Sequence, residues 1–423
     1  MSQRVAVVGA GMVGLSTAWF LQQHGLHVTV YDREHVAAGS SWGNAGWLTP
    51  ALTAPLPEPA VLGYGVKAVL NPSSPVYVPL PPSPRLLQFL ARFARNSTHG
   101  RWVKGMQAYA PMNHLALGAF DELTHGGVDA QTHLAEPFLA CFRTSEERAV
   151  LLTEFEQLMA AGQDVKYDLL TGEEVRSEEP ALSPEIGAAV RLHGQRYVNP
   201  PAYLEALAAA VRDRGGDIVE ATTVTDVEDL GDGVRVRTRT ATASAAVEVT
   251  DRFDDVVLAH GAWLGGLARP FGVRQAVQAG RGYSFSVECD RVPAGPVYFP
   301  TQRVACTPLD TPDGPRLRVA GMMEFRSPDA ALDRRRIDAI VDATRPLLVG
   351  AELDRREDEW VGSRPCTADG LPLIGSTKAP HVFVAGGHGM WGIALGPLTG
   401  KLLADRIATG ITPAELLPFD PLR

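Results

Sequence analysis

Three glycines near the start of the chain, Gly9, Gly11 and Gly14, stand in the spacing G-x-G-x-x-G, and Asp32 follows Gly14 by 18 residues. Glycines at this spacing let a tight turn present backbone N–H groups to a pyrophosphate, and a carboxylate about 20 residues on accepts from a ribose hydroxyl. Gly9 would make the turn, Gly11 would let the backbone approach the phosphates, and Gly14 would let a helix pack closely on a strand. Gly387, Gly389 and Gly392 repeat the spacing. No strand and acid follow them, so they give no second nucleotide site and no NAD(P) site, and the electrons must come from the substrate. Gly39, Ser41 and Gly43 match G-x-S-x-G, with Asp369 and His388 downstream in hydrolase order. A nucleophile elbow needs a helix after its serine, and Asn44-Ala45-Gly46 with Pro50 would break one.

The elements that must position these residues are legible around them. Residues 5–8 form a short apolar run of the kind that makes a buried parallel strand, Leu15, Ala18, Trp19 and Gln22 recur at helical spacing, and residues 28–31 read as a second strand. The order is strand, glycine turn, helix, strand, acid, which is the context a dinucleotide site requires. A second small-residue loop, residues 39–46, follows closely. It would place more backbone N–H groups along an extended cofactor, as FAD requires and NAD does not. Residues 5–21 carry no charge but are interrupted by three glycines, so they read as this unit and not as a signal peptide or membrane span.

With 423 residues, 45% hydrophobic and 21% charged, the chain is globular and of a length for two domains. A net charge of −9 argues against nucleic-acid partners. The four cysteines form no C-x-x-C and none of the 11 histidines lies in H-E-x-x-H, so neither a disulfide scaffold nor a metal site is expected. Ten prolines between Pro50 and Pro84 predict a meandering segment with short helices at most, whose apolar residues Val61, Leu62, Val66, Val69 and Leu70 are best read as packing. Helices are expected at 86–94, 108–123, 145–161, 201–214 and 337–348. Strands are expected at 218–220, 223–227, 233–238, 255–259, 283–287, 297–299 and 317–320.

Near the end of the chain, Arg364-Pro-Cys-Thr-Ala-Asp-Gly-Leu-Pro-Leu-Ile-Gly375 and Gly387-His-Gly-Met-Trp-Gly392 complete a set of motifs that begins with Ser40-Ser-Trp-Gly-Asn-Ala-Gly46. With this set the sequence resembles the D-amino-acid oxidase superfamily of flavoproteins, and most of all its bacterial D-amino-acid dehydrogenase branch. The resemblance runs along the chain and is weakest over residues 100–190. It implies an α/β plus α+β architecture. A discontinuous Rossmann-like FAD-binding domain (1–50, 196–272 and 361–423) would carry an inserted substrate domain (51–195 and 273–360) built on a mainly antiparallel sheet. His260 departs from the small residue that the resemblance leads one to expect before Gly261.

The resemblance also implies roles. FAD would be held non-covalently by Gly9, Ala10, Gly11, Met12, Val13 and Gly14, by Asp32 and Arg33, and by Ser40, Ser41, Asn44, Ala45, Gly46 and Leu48. Val224, Gly261, Gly387, Gly389, Met390 and Gly392 would complete the site. Relatives linked covalently through a histidine carry it where this chain has Gly43, and Cys366 stands closer to Asp369 than in the cysteine-linked branch. Arg364 would grip a substrate carboxylate through two parallel hydrogen bonds. Tyr283 and Tyr298 are candidates to bond the carboxylate or cover the pocket, with core packing as the alternative. His388 would shape the amine site or orient its loop, and Arg326 reads as structural. The implied reaction is oxidative deamination of a D-amino acid to a 2-oxo acid and ammonia, with hydride passing from Cα to flavin N5. The alternative is oxidation of a cyclic or N-methyl amino acid such as D-hydroxyproline, D-proline or sarcosine. The electron acceptor would be O2 or a quinone or other respiratory carrier. The expected location is cytoplasmic, with at most peripheral contact at the inner face of the membrane.

Overall fold

The computed structural model describes residues 3–59, 71–241 and 246–423. The apolar residues 61, 62, 66, 69 and 70 of the proline-rich segment lie outside the described residues.

Strand Arg4–Val8 forms where four consecutive apolar side chains can be buried on both faces of a sheet. It pairs in parallel with His27–Tyr31 on one side and Asp255–Leu258 on the other, with Val7 opposite Val30 and Val257. Asp217–Val219 extends one edge, and Val382–Gly386 then Leu373–Ser376 extend the other, giving a six-stranded sheet with an antiparallel last strand. Helix Met12–Gln23 follows the glycine turn, and helix Gly392–Thr409 packs against it. The approach is close because Gly400 has no side chain: a Cβ there would lie 2.6 Å from the Thr17 backbone nitrogen. Helix Gly392–Thr409 ends on Gly410 in the left-handed conformation, φ 75°, as its place after the last apolar residue foretells.

Among the described residues, a second sheet of nine strands runs mainly antiparallel. Its long members are Val277–Cys289, Gly314–Phe325, Val304–Thr311 and the 17-residue edge strand Ala351–Thr367. Helix Arg334–Thr344 covers it through Ile337, Ile340 and Val341. A three-stranded antiparallel sheet, Thr222–Asp229, Val234–Ala241 and Ala246–Phe253, lies beyond the parallel sheet and buries Val224, Val227, Val234 and Val236 with Val256 and Leu258.

The structure departs from the sequence reading at several elements. Helix His99–His125 begins well before residue 108 and carries Pro111 inside it. Strands Val304–Thr311 and Ala351–Thr367 were not anticipated. The latter stays in the large sheet well past residue 361, so Arg364 sits on a strand paired with Gly280. Among the described residues, no helix is long and apolar enough to cross a membrane.

Candidate functional site

At the first glycine turn, each glycine has a separate physical reason. Gly9 has φ 109°, a region that favours glycine, and a Cβ there would lie 2.7 Å from the Ala259 carbonyl oxygen. A Cβ at Gly14 would lie 1.9 Å from the Gly9 carbonyl oxygen, so helix and turn touch only because it is absent. Gly11, which caps the helix, has more room, with Ser41 Oγ at 3.3 Å from such a Cβ. The Met12 backbone N–H, at the positive end of the helix, donates to that same Ser41 Oγ (3.3 Å). Asp32 ends the second strand and takes the Ala10 N–H (2.8 Å) and the Glu34 N–H (2.9 Å) on its two carboxylate oxygens. Burial raises the Asp32 pKa above the usual value, and the two N–H donors oppose that shift.

A cleft of about 590 Å³ opens beside this turn, a volume typical of sites that enclose an organic ligand. Gly9, Gly11, Met12, Val13, Asp32 and Arg33 line it, as do Ser40, Ser41 and Asn44, Val224 and Gly261, and Gly389, Met390 and Gly392. Ala10, Gly14, Ala45, Gly46, Leu48 and Gly387 do not face it. Gly14 and Gly46 instead allow close backbone packing, since a Cβ at Gly46 would lie 2.1 Å from the Val198 carbonyl oxygen. Ala45 accepts the Thr307 hydroxyl (2.7 Å) and Leu48 is fully buried.

Three hydroxyls tie the loop at residues 39–46 to the large sheet. Ser284 donates to the Gly43 carbonyl (2.8 Å), Thr307 to Ala45, and Ser40 to the Ser363 carbonyl. The cleft therefore lies along the seam between the parallel sheet and the large sheet. A serine triad is absent from it. His388 faces Thr399 Oγ1 (2.9 Å), Asp369 pairs with Arg423, and neither bonds to Ser41.

Arg364 reaches the cleft from its strand. Its Nη1 donates to the Met322 carbonyl (2.7 Å), and no carboxylate among the described residues pairs with it. Its guanidinium lies where a side chain at Gly282 would otherwise be, since a Cβ there would come within 2.2 Å of Nη2. Burial lowers its pKa from the ordinary arginine value. A half-buried guanidinium at a cleft wall, with donors to spare and no anion beside it, is an arrangement that a carboxylate ligand completes.

The other sequence candidates divide. His388 lines the cleft and is buried, which pushes its pKa down to about 4 and keeps it neutral. Tyr283 does not face the cleft. It lies in the core of the large sheet, with its hydroxyl bonded to the fully buried Glu324, and burial raises its pKa. Tyr298 also lies away from the cleft and packs edge-on against Trp47, with ring centroids 5.4 Å apart.

Sequence reasoning overlooked Arg281, Trp263 and Asp329 among the lining residues, and named Arg33 and His260 without their surroundings. Arg281 holds the carbonyls of Ala330 and Ala331 and pairs with Glu324 at 3.5 Å. Its only signal was a charged residue between two glycines on a buried strand. Arg33 stacks on Trp263, with its guanidinium carbon 3.7 Å from the ring centroid, and Asp329 accepts from the Trp263 indole (2.9 Å) and from Arg33 (3.4 Å). His260 lines the cleft beneath this group, and neither of its buried ring nitrogens makes a hydrogen bond. Burial pushes its pKa down to about 4, with the Trp263 backbone opposing and Arg33 adding to the shift.

Solved structures share this architecture. A glycine oxidase from Geobacillus kaustophilus is 23% identical and superposes with a TM-score of 0.72, over 100% of this chain and 99% of that one. An L-alpha-glycerophosphate oxidase from Mycoplasma pneumoniae, solved with FAD bound, is 18% identical with a TM-score of 0.71, over 96% and 95% of the two chains. An L-proline dehydrogenase from P. horikoshii is 17% identical with a TM-score of 0.67, over 100% and 97%. At these identities the likeness establishes the fold. The cradle at Gly11, the Met12 N–H, the Ser41 hydroxyl and the Asp32 carboxylate together suit the pyrophosphate and ribose of FAD. A family model described as FAD dependent oxidoreductase matches residues 4–406, and the chain belongs to that family of flavin enzymes.

Proposed function

We propose that this chain deaminates a D-amino acid oxidatively, giving an imino acid that water converts to a 2-oxo acid and ammonia. The observation that carries the reading is Arg364, a half-buried guanidinium at the cleft wall without a carboxylate partner among the described residues. Arg364 binds the substrate carboxylate through the donors it does not give to Met322. The bare strand at Gly282 leaves room for the guanidinium to lie there. His388, neutral and held by Thr399, adds no positive charge beside the substrate amine, which must lose its proton before it can be oxidised. Bound FAD supplies the acceptance of two electrons. The walls of the cleft orient substrate and cofactor and exclude water. FAD is held without a covalent bond, by segments drawn from residues 1–50, 196–272 and 361–423, and the reduced enzyme passes its electrons to O2 or to a quinone or similar carrier. The setting is the cytoplasm.

A second reading keeps the chemistry and changes the amine. One structural relative is an L-proline dehydrogenase, and a cyclic or N-methyl amino acid offers the same carboxylate to Arg364. Anaerobic bleaching of the flavin band against D-, L- and N-substituted amino acids decides between them. Fast bleaching by D-amino acids with primary amines supports the first reading. Bleaching by proline, hydroxyproline or sarcosine alone replaces it with the second.

A further inference from the structure

The strand Gly314–Phe325 breaks step with its neighbour Val277–Cys289 beside Arg364. Arg281 is registered opposite Glu324 and Tyr283 opposite Gly321, so Met322 and Met323 together face the single residue Gly282. This is a β-bulge, and it lies across from the bare position that receives the Arg364 guanidinium. Its first residue, Met322, has φ 66°, a left-handed conformation that glycine usually supplies at this place in a bulge. A non-glycine residue held there is strained, and such strain persists where the surrounding structure uses it. The extra residue also reverses the alternation of the strand. Before it, Leu317 and Val319 pack in the core under helix Arg334–Thr344. After it, Met323 and Phe325 lie on the other face with Cys366, and Glu324 turns into the core to Tyr283 and Arg281. A strand without the bulge would carry Glu324 on the face that holds Arg364, where its carboxylate would compete for the guanidinium. Among the described residues, Met322 is registered with no residue of a neighbouring strand, and its carbonyl accepts from Arg364 Nη1 (2.7 Å).

We infer that Met322 is a positioning residue for the substrate carboxylate: its left-handed backbone makes the bulge that offers a carbonyl to Arg364 and turns Glu324 away from it. The residue acts through its backbone. Its side chain is core packing, 5% exposed in the cluster that includes Ile337 and Ile340. One guanidinium donor is held by a fixed acceptor, and the others stay available to a ligand. With Glu324 turned inward, the chain does not neutralise Arg364 before a substrate arrives. The inference rests on the reading of Arg364 as the carboxylate site and not on which amine is oxidised.

The test compares wild type, Met322→Ile and Met322→Gly as FAD-loaded enzymes. The readouts are kcat and KM for the amino acid that bleaches the flavin fastest, and the Ki of propionate, a carboxylate without an amine. Ile is branched at Cβ and disfavours a positive φ, so it should undo the bulge while filling much of the same space. Gly accepts φ 66° without strain but leaves the larger cavity. Met322→Ile is expected to raise KM and the propionate Ki together by roughly ten-fold, with a smaller change in kcat and normal FAD content. Met322→Gly should keep the wild-type KM and Ki although it loses the buried side chain. A packing role predicts the reverse order, so weaker carboxylate binding in the Gly variant overturns the inference, and the Gly variant decides alone if Ile does not fold. Unchanged KM and Ki in a folded Ile variant overturn it as well. Propionate that does not compete in wild type defeats the carboxylate reading of Arg364 and the inference with it. Competition of equal strength in all three proteins defeats the inference alone.

Discussion

The guanidinium of Arg364 lies across Gly282, where a Cβ would come within 2.2 Å of Nη2. The two residues sit on adjacent antiparallel strands, and Arg364 is registered opposite Gly280, so a bare strip of strand receives the side chain. Gly280 keeps its own space for Met323 and Cys366, whose sulfur atoms would lie 2.4 and 2.8 Å from a Cβ there.

Gly282→Ala should therefore act on the substrate and not on the fold. The colliding atoms are the far end of a flexible side chain, which can swing aside. kcat/KM should fall roughly ten- to a hundred-fold, as for loss of a charge-assisted hydrogen bond, with normal FAD content and a Tm within a few degrees of wild type. Arg364→Lys should match it, since it keeps charge and loses the paired donors. A decarboxylated amine should be a poor substrate for wild type and lose little more in either variant. Equal losses for the amino acid and its amine would remove the carboxylate role.

The glycines of the first turn should separate folding from binding. Gly14→Ala places a Cβ 1.9 Å from the backbone oxygen of Gly9, which has no rotamer with which to yield, so soluble yield should collapse. Gly11→Val meets only Ser41 Oγ first, so the protein should fold, keep its far-ultraviolet circular dichroism, and purify colourless. A yellow Gly11→Val protein with full flavin content would mean that the pyrophosphate does not lie there.

Acid precipitation should release all of the flavin. A Cβ at Gly43 would lie 2.2 Å from the Trp360 ring, so the position where some relatives carry a linking histidine is covered. The Cys366 thiol is buried, and burial lifts its pKa to about 12, which keeps it from acting as a thiolate nucleophile. Yellow colour in the washed pellet would contradict both points.

Acid should destabilise the protein in a window set by its buried histidines. His388 has its pKa pushed from 6.5 down to about 4 by burial, so between those values the unfolded chain binds a proton that the folded chain refuses. Stability falls as pH falls through this window and the loss levels off below it, for a total of about 3 kcal/mol at most. His388→Asn removes that proton. Its Tm should decline less than that of wild type between pH 7 and pH 4.5. The raised pKa values of Asp32 and Glu154 act with the opposite sign and are common to both proteins, so the difference isolates His388.

The N-terminal unit was readable because its constraints are local. Gly14 answers Gly9, and Asp32 answers Ala10 and Glu34, all within one strand–helix–strand unit, whereas the contact of Gly9 with Ala259 spans the chain and only its turn conformation is local. The edge strand Ala351–Thr367 was not, because charged residues at 354–359 face water on an edge and leave no two-residue alternation to find. Helix His99–His125 was expected only from residue 108, and the part missed, residues 99–107, lies wholly before Pro111, which the expected helix already contained. Tyr283 stood as a candidate for the substrate carboxylate with core packing as the alternative, and the structure places it in the core. Its hydroxyl answers Glu324, 41 residues away, and no short-range pattern reports that pairing. The Arg33–Trp263–Asp329 group joins three distant segments and was invisible for the same reason.

The residues that line the cleft run from Val8 to Ile393. A ribosome delivers them in that order, so the glycine turn is made among the first residues and the wall at residues 386–393 among the last. The strand Val382–Gly386 and the helix Gly392–Thr409 also supply the neighbours of Asp255–Leu258 and of Met12–Gln23. Until they emerge, one edge of the parallel sheet is open and one face of the first helix is bare. Flavin capture therefore belongs to the period after residue 393 has left the exit tunnel, and in the interval before it the nascent chain exposes apolar surface that chaperones recognise.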